Sequence, residues 1–129
     1  MGPEYLNTDA YPPQGRDMDR RFATLPEPPY YAVIFSAVRT DGDNGYDAMA
    51  DAMMRLAAEQ PGYLGVESTR DSGSFGITVS YWLDEESIAA WKAQARHTLA
   101  QERGKAQWYS HYELRVAKVE RAYCGPEER

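Results

Sequence analysis

Phe75-Gly76-Ile77-Thr78-Val79-Ser80-Tyr81-Trp82 is the stretch from which the fold can be read. It is short, rich in β-branched and aromatic residues, and alternates Ile77, Val79 and Tyr81 with Thr78, Ser80 and Trp82. That pattern predicts a strand. Asp84 follows as a helix N-cap, and Glu85 and Glu86 occupy the first turn, where the helix dipole favours anions. The helix is predicted to run to Arg103, with Gly104 closing it. A last strand begins near Gln107, passes through Trp108-Tyr109-Ser110-His111-Tyr112 and ends near Arg121.

The helix carries two candidate faces. Ile88, Trp91, Ala95 and Leu99 form one stripe, and Ala90, Ala93, His97, Ala100, Gln101 and Gly104 form another. A single straight amphipathic helix has one apolar face. The pattern therefore predicts a break near Ala93–Arg96 that turns the second face inward.

Upstream, Tyr30 to Val38 reads as a strand that is apolar on both sides. Tyr31, Val33, Phe35 and Ala37 make one face, and Ala32, Ile34 and Val38 the other, interrupted by Ser36. Such a strand belongs in the middle of a sheet covered on both faces. Asp43 or Asn44 is placed to cap a helix with the stripe Tyr46, Met49, Ala50, Met53, Leu56 and Ala57, which Pro61-Gly62 stops. Tyr63 to Arg70 is the next strand, and Asp71-Ser72-Gly73-Ser74 turns it back into Phe75–Trp82.

The order is thus βαββαβ, the ferredoxin-like α+β arrangement: a four-stranded antiparallel sheet with both helices on one face. The other face of the doubly apolar first strand then lacks cover, and a second copy of the chain is the simplest partner.

The domain spans residues 30–123, between a Pro-rich arm (1–29) and a tail (124–129). Pro3, Pro12, Pro13, Pro26, Pro28 and Pro29 keep the arm out of helices and central strands. Its Tyr5, Tyr11 and Phe22 offer groups that dock on a surface. The chain of 129 residues suits one domain. A net charge of −6 and the lack of a dense Lys/Arg run argue against nucleic acid and against an anionic membrane. One cysteine, Cys124, excludes an intrachain disulfide and fits a cytoplasmic setting. His97, His111 and Cys124 lack the HxxH, CxxC or HExxH spacing that preorganises a metal site. No phosphate loop and no nucleophile elbow is present.

Several runs together resemble the antibiotic biosynthesis monooxygenase superfamily, and a bacterial branch of it in particular. They are Gln60-Pro61-Gly62-Tyr63-Leu64-Gly65-Val66-Glu67-Ser68, Gly76 to Trp82, Trp91 with His97, Trp108-Tyr109, and Arg115 to Arg121. The resemblance covers about Tyr30 to Tyr123. It implies a dimeric α+β barrel, a homodimer through sheet faces, with one pocket per subunit between helices and sheet. In several members that pocket oxidises an aromatic polyketide with neither metal nor flavin; in others it binds and opens haem. The expected function is cofactor-independent oxygenation of an aromatic or quinone-like molecule. The alternatives are a small-ligand-binding dimer without turnover and a haem-degrading enzyme.

The site residues implied are His97 as base and Trp91 stacking on a planar ligand. Phe35, Ser36, Ser80, Trp82, Gln101, Tyr109 and Tyr112 are candidates for substrate contact. Haem-degrading relatives pair the helix tryptophan with a histidine ten residues on and carry an asparagine on the first strand. Here those positions are Gln101 and Phe35 or Ser36, so the resemblance implies no haem oxygenase activity.

Overall fold

The computed structural model describes residues 19–39, 46–101 and 109–126, with the side chains of 46–51, 97–101, 109 and 110 outside the description. Six elements follow in order: β1 (Tyr30–Arg39), α1 (Tyr46–Ala58), β2 (Tyr63–Arg70), β3 (Phe75–Trp82), α2 (Glu85–Gln101) and β4 (Tyr109–Val119). The strands form one sheet of order β2-β3-β1-β4, with each pairing antiparallel. This is the expected ferredoxin-like fold, with the doubly apolar β1 between two neighbours. The predicted cap at Asp43 or Asn44, the stop at Gly104, the strand start at Gln107–Trp108 and arm residues 1–18 lie outside the described residues.

Local chemistry sets the joints. Asp71 Oδ1 accepts hydrogen bonds from the Gly73 and Phe75 amides at 2.9 and 3.2 Å, which holds the β2–β3 turn. Asp84 Oδ1 accepts from the Ser87 amide at 2.8 Å, capping α2. Those hydrogen bonds from Ser87 also pull the Asp84 carboxyl below its ordinary pKa. Gly62, at φ +89°, ends the α1 turn in the left-handed region that favours glycine. A Cβ there would collide with the Ser87 side chain, and the Gly62 carbonyl accepts from the Leu83 amide at 2.7 Å. The exit of α1 is thereby packed against the start of α2.

Residues paired across antiparallel strands share a face. Val33 pairs with Ser80 and Val116, and Phe35 with Thr78 and Leu114, so odd positions of β1 and even positions of β3 and β4 lie together. This side meets the helices. Its core is Val33, Ala57, Trp82 and Ile88, with Tyr31, Met54, Tyr63, Trp91 and Leu114 packed against it.

Two expectations are corrected. α2 is one continuous helix, not broken near Ala93–Arg96. Ile88 is buried and Trp91 and Ala95 half-buried, while Ala90 and Ala93 are exposed. Nothing local interrupts the helix: it holds neither Gly nor Pro, and alanine is the best helix former. Of the small-residue stripe, Ala90 and Ala93 therefore face outward.

The second correction concerns the other sheet face, which is not wholly bare. The Ala23 amide donates to Glu67 Oε2 at 3.0 Å, and Ala23 and Leu25 lie against Gly65. Glu67 Oε1 accepts from the Tyr81 hydroxyl at 2.7 Å, and the Tyr81 ring meets Tyr30 edge-on at 5.8 Å. Burial, reinforced by the Glu67 carboxylate, drives the Tyr81 phenol far above its ordinary pKa. The end of the arm thus covers one side of this face.

Candidate functional site

Among the described residues each sheet face has a concavity, and the sequence-derived candidates divide between the two faces. On the helix-facing side, Trp82 is fully buried and its Nε1 donates to Ser80 Oγ at 2.8 Å. These two polar groups satisfy each other. Tyr63 meets the Trp82 ring edge-on at 5.5 Å, and Trp91 lies over it at 5.4 Å with 32° between planes. Trp91 Nε1 is buried and has no hydrogen-bond partner among the described residues. A buried donor left unpaired costs about 1–3 kcal/mol, so this atom calls for an acceptor. Farther along the same face, Phe35 and Tyr112 form a second aromatic pair at 5.4 Å, with Tyr112 56% exposed.

His97 and Gln101 lie on α2 and Tyr109 on β4, but their side chains fall outside the description. Position 97 lies about 120° round the helix from position 91. It falls in line with Ala90 and Ala93, which are exposed. The geometry thus brings together Trp91, Trp82 and Ser80, and separately Phe35 and Tyr112.

Ser36 is on the opposite face. It lines an open concavity of about 300 Å³ with Val38, Phe75, His111, Glu113 and Arg115. There Glu113 Oε2 meets His111 Nε2 at 3.1 Å and its other oxygen accepts from Arg115. Those partners, His111 first, hold the Glu113 carboxyl below its ordinary pKa. Among the described residues no group of three or more His, Cys, Asp or Glu gathers to hold a metal.

The helix-facing side also has a small recess of about 20 Å³ at the far end of the strands, lined by Phe35, Ala37, Arg39, Ser68, Thr69, Arg70, Ser74, Gly76 and Thr78. Arg39, Ser68, Arg70 and Thr78 were not picked out from the sequence. Arg39 follows from alternation along β1. Ser68 and Arg70 follow from alternation with Val66, whereas Tyr63 does not, because the β2–β3 register shifts between Tyr63 and Gly65. That shift leaves Tyr63, Val66, Ser68 and Arg70 all on the helix-facing side.

The profile of the antibiotic biosynthesis monooxygenase family matches residues 29–103. The uncharacterised protein YqjZ of Bacillus subtilis is 53% identical over 96 residues, covering 74% of this chain and 84% of its own length. A jasmonate monooxygenase of Pyricularia oryzae is 28% identical over 101 residues, 76% of this chain but 41% of that protein. The crystal structure of a mutant of SnoaB, a cofactor-independent oxygenase from Streptomyces nogalater, superposes with a TM-score of 0.58 at 16% identity, covering 76% of this chain and 98% of SnoaB. The order of strands and helices and a profile match over more than half of the residues agree: this chain belongs to the antibiotic biosynthesis monooxygenase family.

Proposed function

We propose that this protein oxygenates an aromatic or quinone-like small molecule held on the helix-facing side of its sheet, with the substrate itself as reductant. The observation that carries this reading is Trp91 Nε1, a buried donor with no acceptor among the described residues, set against the face of Trp82. A hydroxyl or carbonyl oxygen of a planar ligand completes it. Two relatives lend support through their own names, one a cofactor-independent oxygenase and one a monooxygenase of a small molecule.

In the proposed reaction a base takes a proton from an activated ring CH₂ or a phenol. His97, the base the resemblance implies, stands about 120° round α2 from Trp91 and takes this role from the helix flank rather than from beside the Trp82–Trp91 pair. Trp91 N–H stabilises the oxygen on which the anionic charge collects. The anion passes one electron to O₂, and the radical pair joins as a peroxide on the ring carbon. Loss of water then leaves a carbonyl. At a ring CH₂ two C–H bonds are replaced by C=O, and at a phenol the O–H and the para C–H are lost as the quinone forms. In both, one oxygen atom enters the product and the other leaves as water. The substrate supplies all four electrons. Phe35 and Tyr112 wall the ring, with Gln101 and Tyr109 as further contacts; Ser36, across the sheet, is not in this pocket. The working unit is a homodimer through the open sheet faces, where Ile34 and Val79 are half-buried and Phe75 is 43% exposed.

Oxygen uptake against a panel of anthrones, dihydroxy-aromatics and quinols tests this. One O₂ consumed per quinone formed is expected, with Trp91→Phe lowering kcat about a hundredfold and leaving the fold intact. Ligand binding without oxygen uptake would indicate a binding dimer instead. A saturating one-to-one Soret shift with haemin, lost in His97→Ala, would move the protein to the haem-degrading class.

A further inference from the structure

Resting on the reading that ligand lies on the helix-facing side, we propose that the recess at the ends of β1, β2 and β3 is an anion subsite, and that the substrate is an aromatic acid whose carboxylate sits between Arg39 and Arg70. Both arginines line the recess, together with the Ser68 and Thr78 hydroxyls, which hydrogen-bond each other at 3.1 Å. The alternation and register put all four on the face that carries Phe35, Trp82 and Trp91. The chain as a whole is acidic, with a net charge of −6, yet no carboxylate lines this recess among the described residues.

Size separates the two ends of the site. A recess of about 20 Å³ holds one water-sized group. It fits a carboxylate oxygen and excludes a ring. The aromatic body then lies along Phe35 and Tyr112 towards Trp91. Thr78 and Trp82 are four residues apart on β3, about 13 Å along a strand, the length of a molecule of two or three fused rings with its carboxylate. Each arginine already makes an interaction of its own. A guanidinium carries five donors in a planar fork, which leaves donors for a carboxylate oxygen. Ser68 and Thr78 can each donate one hydroxyl proton, so a carboxylate replaces the hydroxyl pair's mutual bond with charge-assisted ones.

The test compares anthracene-2-carboxylate with the neutral anthracene-2-methanol, titrated by fluorescence into the full-length protein. The acid should bind about tenfold more tightly, and the preference should shrink between low and high salt. Arg70→Gln should remove most of that preference and leave the affinity for the alcohol within about twofold. Arg70→Lys should recover part of it. The Arg39→Gln, Arg70→Gln double variant should bind both ligands alike, with unchanged circular dichroism. Equal affinity of the unaltered protein for acid and alcohol, no binding of either, or a preference that survives in the double variant would overturn the proposal. A carboxylate preference without oxygen uptake would keep the subsite and remove the oxygenase reading, so the two failures are distinguishable.

Discussion

On the helix-facing side of the sheet Val33 and Trp82 are buried to 1% and 0% exposure, while on the opposite side burial is confined to the Tyr30–Ala32 end, and Ile34 and Val79 are only half-buried and Phe75 is 43% exposed. Both faces of β1 are apolar in sequence. They differ in what lies over them. Ala57 and Ile88 of the two helices close the first. The second has Ala23 and Leu25 of the arm at one side, and a concavity rimmed by His111, Glu113 and Arg115 at the other. Apolar content states how much surface needs cover. The chain's path decides which half of it the chain covers itself.

The largest effect belongs to the closed face. Trp82→Ala should cost about 3–5 kcal/mol, a large share of the stability of a domain this size. It removes the ring between Tyr63 and Trp91 and strands the Ser80 hydroxyl. Urea unfolding measures it, and a loss below about 1 kcal/mol would mean that the core is not centred there.

On the open face the expected effect is on assembly. Light scattering at micromolar concentration should give about twice the chain mass for the unaltered protein, and Ile34→Lys should reduce it to a single chain while destabilising the fold far less than Trp82→Ala. A clean monomer of the unaltered protein would falsify pairing through this face.

The arm's contact with that face gives a smaller effect. Glu67→Leu leaves the Ala23 amide and the Tyr81 hydroxyl without their acceptor, and should cost about 1–2 kcal/mol. Trypsin should then cut faster at Arg20 and Arg21. Deleting residues 1–28 should leave helix and strand content unchanged by circular dichroism. Loss of cooperative unfolding would make the arm part of the core.

The smallest effect is the α2 cap. Asp84→Ala should lower the melting temperature slightly at neutral pH. Because the folded carboxyl lies below its ordinary 3.8, its contribution is complete above that pH and is lost as pH falls through the lowered value. The difference between Asp84→Ala and the unaltered chain should therefore shrink on acidification. A difference that stays constant through that range would assign the effect to helix propensity rather than to the charged cap.

Much of the site was legible only in part. Trp91 stands out as a large aromatic on an alanine-rich helix, and Phe35, Ser80, Trp82 and Tyr112 as side chains on strands with apolar alternation. The Trp82–Ser80 hydrogen bond, which makes that pair part of the core, depends on the packing of Trp82 under α2, and the burial of Trp91 Nε1 without an acceptor among the described residues depends on atoms meeting across elements. Arg39 and Arg70 looked like ordinary polar strand ends. The pairing of β2 with β3, and of β3 with β1, sets Arg70 on the same face as Arg39, and the register shift near Leu64 adds Tyr63 to that face. A one-residue shift reverses every following side chain, and no local propensity announces it.

The sequence by itself determined the six elements, their order and the centrality of β1, because hydrophobic period, caps and turn residues are local properties of the chain. It also carried the family, through runs of residues that survive as patterns. Tertiary structure decided which of two apolar faces is the core, whether α2 breaks, where the arm's last residues lie and which polar groups share a recess. Those depend on contacts between segments distant in the chain, such as Ala23 with Glu67, 44 positions apart. α2 makes the same point in reverse: its two stripes are equally helical, and only packing against Trp82 chooses the one with Trp91 to face inward.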